Sequence, residues 1–309
     1  YTMDPTPLRN PLQDNKYNNV TDLKNNLFGS FSATLKPFKW LSFSSTNTLT
    51  LTNVNTNDYL DSRTYNGNHS RNEMSNGVLK VDDERSWTFL TSNILRLQYS
   101  FGEHNLNGLV GQEWYERHTR SSRIEMYDQI IAGERNVGGF SKQGDKTNPG
   151  VIPTGAERES GSFSVFSEVN YNYAGKYMAS ASFRTDGSTN FGKDNRYGTF
   201  YSFSGSWLVS REAFMARQDV VSNLKLRMSY GTSGKEAGMD YLNYTLYSTS
   251  NTTFDYYRNH PVYQSAYGAT INQLGNDQLS WETAYNLNIG VDVALLNNRI
   301  SLSADWYKR

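Results

Sequence analysis

Between residues 160 and 188 the chain reads SGSFSVFSEVNYNYAGKYMASASFRTDGS, and its side chains alternate in kind with a period of two. Phe163, Val165, Val169, Tyr171 and Tyr173 fall on one parity, with Ser167 among them. Ser164, Phe166, Glu168, Asn170 and Asn172 fall on the other. After Ala174-Gly175-Lys176 the pattern resumes, with Tyr177, Ala179, Ala181 and Phe183 against Met178, Ser180, Ser182 and Arg184. Successive side chains of a strand point to opposite faces, so this spacing predicts two strands joined by a tight turn. A helix would scatter the same residues around its axis.

The same period recurs along the chain. Residues 25–36 place Leu27, Phe31, Ala33 and Leu35 on one face, with Phe28 as an exception on the other. Further strands are predicted over 40–53, 85–100, 106–117 (weaker), 199–210, 224–231, 281–293 and 300–306. In 281–293, Leu287, Ile289 and Val291 oppose Glu282, Asn286, Asn288 and Asp292. Long polar segments are expected over about 54–84, 118–159 and 232–279, and a short helical turn over 211–223. Short connections on one side and mostly long ones on the other match the up-and-down layout of an outer-membrane barrel. Strands of about 10–14 residues are long enough for a tilted crossing, which needs roughly 9–11.

Composition agrees. Only 37% of the 309 residues are hydrophobic, yet 14% are aromatic, including 22 Tyr. Chains this rich in aromatics are not disordered. The formal charge is zero, with 30 basic and 30 acidic residues, so nothing points to nucleic acid. Cysteine is absent, which excludes disulfides, Cys-ligated zinc and thiol nucleophiles. No apolar run is long enough for a transmembrane helix, which leaves barrel strands open. Tyr1 carries neither a start methionine nor a signal peptide, so the chain is expected to be mature, trimmed or incomplete.

Aromatic residues flank the short turns: Phe38 and Trp40, Tyr99 and Phe101, then Tyr171, Tyr173 and Tyr177. Amphipathic rings at strand ends suit a membrane interface. On this reading Phe163, Val165, Val169, Phe183, Leu287, Ile289 and Val291 face lipid. Glu168, Asn170, Asn172, Arg184, Glu282, Asn286, Asn288 and Asp292 face a polar lumen. The long loops carry Tyr59, Tyr65, Tyr127, Phe140, Phe191, Arg196, Tyr197, Tyr256 and Tyr257, which suit a sugar, a peptide or a protein lid, or pack the loops together. No catalytic residue is assigned. His69, His104, His118 and His260 lack metal-ligand spacing. Asp82-Asp83-Glu84 offers oxygen ligands for a loop calcium ion, or is a solvated acidic cluster.

Three segments carry a family resemblance: FSVFSEVNYNYAGKYMASASFRTDGSTNFGKDNRYGTFYSFSGSWLVSREAFM (163–215), VSNLKLRMSYGTSGKEAG (221–238) and LGNDQLSWETAYNLNIGVDVALLNNRISLSADWYKR (274–309). In order and spacing they resemble the central barrel of SusC/RagA TonB-dependent outer-membrane transporters. The resemblance implies an all-β, antiparallel, up-and-down barrel of about 22 strands with a plug inside. It also implies a SusD-like surface lipoprotein over the mouth, TonB-energised import of oligosaccharides or peptides, and a Gram-negative outer membrane. The chain shows no plug-like region and no TonB-contacting segment, and it stops at Arg309 within a strand. Residues 1–309 are therefore expected to be part of one barrel domain, about ten of its strands, from a longer protein. Two readings from other classes stay open: a complete small-barrel enzyme, and a β-rich surface glycan-binding module.

Overall fold

In a computed structural model, residues 10–69, 76–143, 154–236, 238, 241–249 and 269–309 are described. Two short helices, α1 (Pro11–Tyr17) and α2 (Tyr65–His69), accompany thirteen strands. These are β1 (Asn19–Phe38), β2 (Leu41–Leu60), β3 (Val78–Phe101), β4 (His104–Gln129), β5 (Phe140–Gln143), β6 (Thr154–Tyr173) and β7 (Tyr177–Ser188). Then follow β8 (Tyr197–Leu208), β9 (Val221–Lys235), β10 (Leu246–Thr249), β11 (Ala269–Gln273), β12 (Glu282–Leu295) and β13 (Ile300–Lys308).

The main sheet is one antiparallel meander in the order β1-β2-β3-β4-β6-β7-β8-β9-β12-β13, with β5 added beside β4. β10 and β11 form a separate ribbon. Each close turn has a local cause. Gly102 takes a positive φ of 56° between β3 and β4, and Ala174 and Gly175 do so between β6 and β7. Leu296, Asn297 and Asn298 turn β12 into β13 in left-handed conformations, which asparagine tolerates. Between β8 and β9 two short 3₁₀ turns, Val209–Arg211 and Ala213–Met215, fill the predicted helical connection.

The strands run further than alternation predicted. β2 continues to Leu60, β3 begins at Val78, β4 reaches Gln129 and β6 begins at Thr154, so much of 54–84 and 118–159 is strand. The backbone ladder continues there, but the alternation is broken: polar residues stand on both faces of 154–159, and apolar residues of 54–60, 78–81 and 124–127 pack into a local core. Periodicity reports the contrast between a lipid-facing and a polar face and fades beyond the apolar band.

Register aligns the apolar parities into one continuous face. Ala181, Phe203, Tyr230 and Leu287 are successive cross-strand partners, as are Met228, Ile289 and Trp306. This face is uncovered: Val169 is 47% exposed, Phe183 51% and Phe203 55%. The same face is interrupted on β2–β4 by Ser45, Asn47, Thr91, Asn93 and Gln112. There Asn93 Nδ2 donates to Gln112 Oε1 at 3.0 Å and Asn47 Nδ2 to Ser45 Oγ at 3.2 Å, which offsets part of the cost of amides among apolar neighbours.

Aromatic rings bound the face. Tyr173, Tyr177 and Trp207 stack in sequence beside the short turns. Trp114 and Phe163 meet edge-to-face higher up, with centroids 6.4 Å apart. Phe163 stands ten residues from Tyr173 on β6. At about 3.4 Å per residue and a tilt of about 40°, that spans roughly 26 Å, the height of a barrel's apolar band.

Above this band lies a small core outside the sheet's long face. Tyr59, Leu79, Met126 and Phe140 are buried together, with Val81 and Ile124 against them. The outer ends of β2, β3 and β4 thus carry a packed knob rather than loose loops.

Candidate functional site

The opposite face is mostly polar, with Phe28, Phe166 and Met178 among its exceptions, and is built by the same parity rule. On β1 and β2 it is a hydroxyl ladder: Ser30 with Thr48, Ser32 with Thr46 and Thr34 with Ser44 share hydrogen bonds of 3.0–3.1 Å. Ser180 with Ser204 and Ser182 with Ser202 repeat the motif between β7 and β8.

Two charged nodes interrupt the ladder. Arg184 donates from Nε to Asp186 at 2.6 Å, and its Nη2 reaches Ser164 at 3.0 Å and Glu113 at 3.4 Å. Its guanidinium also lies over the Phe166 ring. Arg227 forks onto Asp292 at 2.7 and 3.0 Å and extends to Asp305. Ser303 donates to Asp292 at 2.6 Å. Each node fixes a planar guanidinium among carboxylates, which sets local charge and geometry on the wall.

The sequence-derived residues of this face stand as follows. Asn170 donates to Glu168 at 2.6 Å, and Asn172 accepts the backbone N–H of Gly175 at 2.9 Å. Asn286 donates to Ser233 at 3.4 Å, and Glu282 pairs in register with Lys235. Asn288, Asn170, Asn172 and Arg227 line a concavity of about 500 Å³. Sequence reading missed Glu113, Asp186, Arg227 and Asp305 as members of these nodes. Their parity marked the face, but only register shows which strands lie side by side.

Of the residues expected on long loops, Tyr59, Tyr127, Phe140 and Tyr197 lie instead in β2, β4, β5 and β8, because the strands run on above the apolar band, and the set divides by burial. Tyr59, Tyr127, Phe140 and Phe191 are 2%, 4%, 6% and 0% exposed. Their rings hold the rim together instead of offering a face to a ligand. Tyr65 sits half-buried in α2. Tyr197 is exposed on the apolar side of β8, and Arg196 precedes it with its carbonyl accepting from Trp281 Nε1 at 3.1 Å. Tyr256 and Tyr257 lie outside the described residues.

Asp61 anchors the knob. It is fully buried and accepts from Tyr59 Oη at 2.7 Å and from Arg63 Nε and Nη2 at 2.8 Å each. Burial pushes its carboxyl up, but the Arg63 side chain and backbone N–H and the Tyr59 hydroxyl outweigh it and hold the group at about 2. Gln129 donates to Tyr59 Oη and to the carbonyl of Glu134, tying β4 to the same cluster.

Asp82, Asp83 and Glu84 lie inside β3, not in a loop. Strand alternation turns Asp83 to the face opposite Asp82 and Glu84, and Arg123 forks onto Asp82. Among the described residues no group of three or more His, Cys, Asp or Glu is placed to hold a metal ion. His104 stacks between Phe101 and Tyr173 beside a short turn, and His118 pairs with Glu157 at 2.8 Å. The arrangement is a wall with a structured rim, suited to binding and passage.

Comparison with known proteins follows the same line. Residues 2–309 match the family described as TonB dependent receptor-like, beta-barrel. TonB-dependent receptor P26 of Formosa agariphila is 28% identical over 98% of this chain, which covers 29% of that protein. TonB-dependent receptor P3 of the same organism is 33% identical over 71% of the chain and 21% of its own length. TonB-dependent receptor SusC of Bacteroides thetaiotaomicron is 35% identical over 47% of the chain and 14% of its length. The solved RagAB peptide transporter superposes with a TM-score of 0.75 at 25% identity, over 94% of this chain and 30% of that one. The chain thus spans less than a third of these relatives, all of them receptors or transporters. An exposed apolar face, a polar face behind it and a ten-strand meander are what an arc of such a barrel requires, and the chain belongs to the TonB-dependent receptor β-barrel family, on its SusC/RagA side.

Proposed function

We propose that the chain forms the central arc of an outer-membrane transporter that imports a nutrient, an oligosaccharide or a peptide, with energy delivered through TonB. The observation that carries this reading is the pairing of two unlike faces on one sheet. The face through Val169, Phe183 and Ile289 is uncovered and apolar, as lipid requires. The face through Glu168, Arg184 and Asp292 is polar and internally paired, as a water-filled or plugged lumen requires.

A SusD-like lipoprotein fits over the rim. The knob around Tyr59 and Asp61 stands above the apolar band as a rigid platform, and Ile130 and Ile131 are exposed beside it. TonB would engage regions outside this chain. The chemistry asked of these residues is binding and translocation, and no bond-making role is assigned to any of them.

The test is uptake in cells that carry or lack the gene. Labelled oligosaccharides and labelled peptides are supplied separately, with and without a protonophore. One class is expected to enter only in gene-carrying, energised cells. Equal uptake of both classes in both strains would sink the proposal. The intact polypeptide is expected to have about three times the 35.2 kDa of this chain, since the chain covers 30% of the transporter it superposes on.

A further inference from the structure

Arg123, Arg184 and Arg227 are each held by a carboxylate on the polar face: Asp82, Asp186 and Asp292. Arg117 and Arg158, on the same face, have no ion pair or hydrogen bond among the described residues. Register brings these two together. Arg117 lies opposite Ser160, and Arg158, two residues away along β6, lies opposite Thr119. They are diagonal neighbours on one face, where like charges repel. Arg96 also lacks a partner, but it stands by itself lower on β3, opposite Ser42 and Leu109.

The two guanidinium groups share a concavity of about 230 Å³ with Glu84, Tyr115, Thr119 and Ser160. All six residues belong to the polar parity. Tyr115, Arg117 and Thr119 alternate along β4 with Glu113, Arg158 and Ser160 along β6 with Ser164, and Glu84 along β3 with Asp82. The cavity therefore opens on the lumenal side of the sheet. Arg117 is three residues beyond Trp114 and Arg158 five beyond Phe163, about 8 and 13 Å above the upper aromatic rings, which places the cavity in the outer mouth. β3 and β4 are paired on both edges along this stretch, and β6 is paired with β4. What the cavity offers a ligand is side chains.

We propose that this cavity is an anion station for the nutrient, seating a sugar unit that carries a carboxylate or a sulfate ester, so that the imported substrate is an acidic oligosaccharide. Two adjacent guanidinium groups offer forked donors to one oxyanion, and the anion in turn removes their mutual repulsion. Tyr115 supplies a ring for the apolar C–H face of a pyranose, and Thr119, Ser160 and the Glu84 carboxylate bond its hydroxyls. Arg117, Arg158 and Glu84 together leave one net positive charge, which matches one acidic group on the seated unit. The volume is below that of a drug-sized pocket and suits a single unit of a longer chain. A peptide fits less well, because strand-like peptide recognition uses free backbone donors and acceptors at a sheet edge, and the lining lies on a sheet face. The station deepens the transport reading and rests on it, since the polar face must line the lumen.

The test uses the complete receptor in mild detergent, titrated separately with oligogalacturonate, a sulfated galactan oligosaccharide, maltoheptaose and heptaglutamate. At least one of the two acidic saccharides is expected to bind tenfold or more tighter than neutral maltoheptaose, and which one does so separates carboxylate from sulfate. That preference is expected to vanish in Arg117→Gln/Arg158→Gln and to be unchanged in Arg96→Gln, which removes a charge from the same wall outside the cavity. Both arginines of the station are exposed, so the barrel keeps its fold; Arg158→Gln alone, expected to weaken binding at least threefold, serves if the double variant misassembles. Equal affinity for acidic and neutral saccharides, a preference that outlives the arginine variants, or an equal loss in Arg96→Gln overturns the station. Heptaglutamate bound as tightly as the acidic saccharides overturns the saccharide class. Energised uptake of a neutral saccharide or a peptide by a receptor without this preference refutes the station alone, whereas absence of energised uptake of any class refutes the transport reading.

Discussion

Replacing Val169 by arginine tests the membrane orientation most directly. Val169 lies four residues above Tyr173 on β6, about 10 Å up the band, and six below Phe163, about 16 Å down, so it is close to the midplane. Its cross-strand partners on the apolar face are Gly108 and Ala181, and no carboxylate stands beside it there. An arginine there meets hydrocarbon without a counter-charge, at a cost of about 2–4 kcal/mol. That is roughly a 30- to 700-fold loss in the folding equilibrium. Asn170→Arg, one residue on, points to the polar face beside Glu168 and is expected to cost little. The assay is urea unfolding of the complete protein refolded into lipid vesicles, with outer-membrane assembly in cells as a second readout. If Val169→Arg and Asn170→Arg shift stability alike, or if the first costs less than about 1 kcal/mol, the assignment of faces is wrong.

Three further outcomes are expected. Asp61→Asn removes the buried carboxylate that Arg63 and Tyr59 bind and is expected to loosen the knob by about 2 kcal/mol, read as faster amide exchange over 59–67 with the membrane strands unaffected. The Asp61 carboxyl is lowered from 3.8 to about 2, so its stabilisation is present above about pH 4 and lost as pH falls through 2; protection of the same amides, taken relative to the unstructured rate at each pH, should fall in that window and stay constant between pH 5 and 7. Phe191→Ala empties a fully buried position against Trp281, and a local cost of about 3 kcal/mol should appear as trypsin cleavage at Lys193 or Arg196 in an otherwise intact barrel.

The reach of the sequence is clearest on β6. Alternation alone placed Phe163, Val165 and Val169 on one face and Glu168, Asn170 and Asn172 on the other, because side-chain direction in a strand has a fixed period of two. It failed on the same strand above residue 160, where Thr154–Glu159 is as regular as the rest but polar on both sides. The turn at 211–223 was legible because Glu212, Phe214, Met215, Val220 and Val221 depart from the period of two, and the structure supplies two 3₁₀ turns around Glu212, which accepts from Trp207 Nε1 and Lys176, with β9 already beginning at Val221. The ion-paired nodes were half legible. Arg184 and Asp292 could be assigned a face, but their partners Glu113 and Arg227 could not be assigned to them.

Local chemistry therefore determined the strands, their two faces, the tight turns and the membrane-spanning character, since each depends on neighbours one or two residues away. Tertiary structure alone decided strand lengths above the membrane, the burial of Tyr59, Tyr127, Phe140 and Phe191, and the meeting of Arg117 with Arg158 across β4 and β6. Those features depend on register and on contacts between segments tens of residues apart. The backbone hydrogen bonds that set them are the same for every side chain, so composition carries no record of which strand lies beside which.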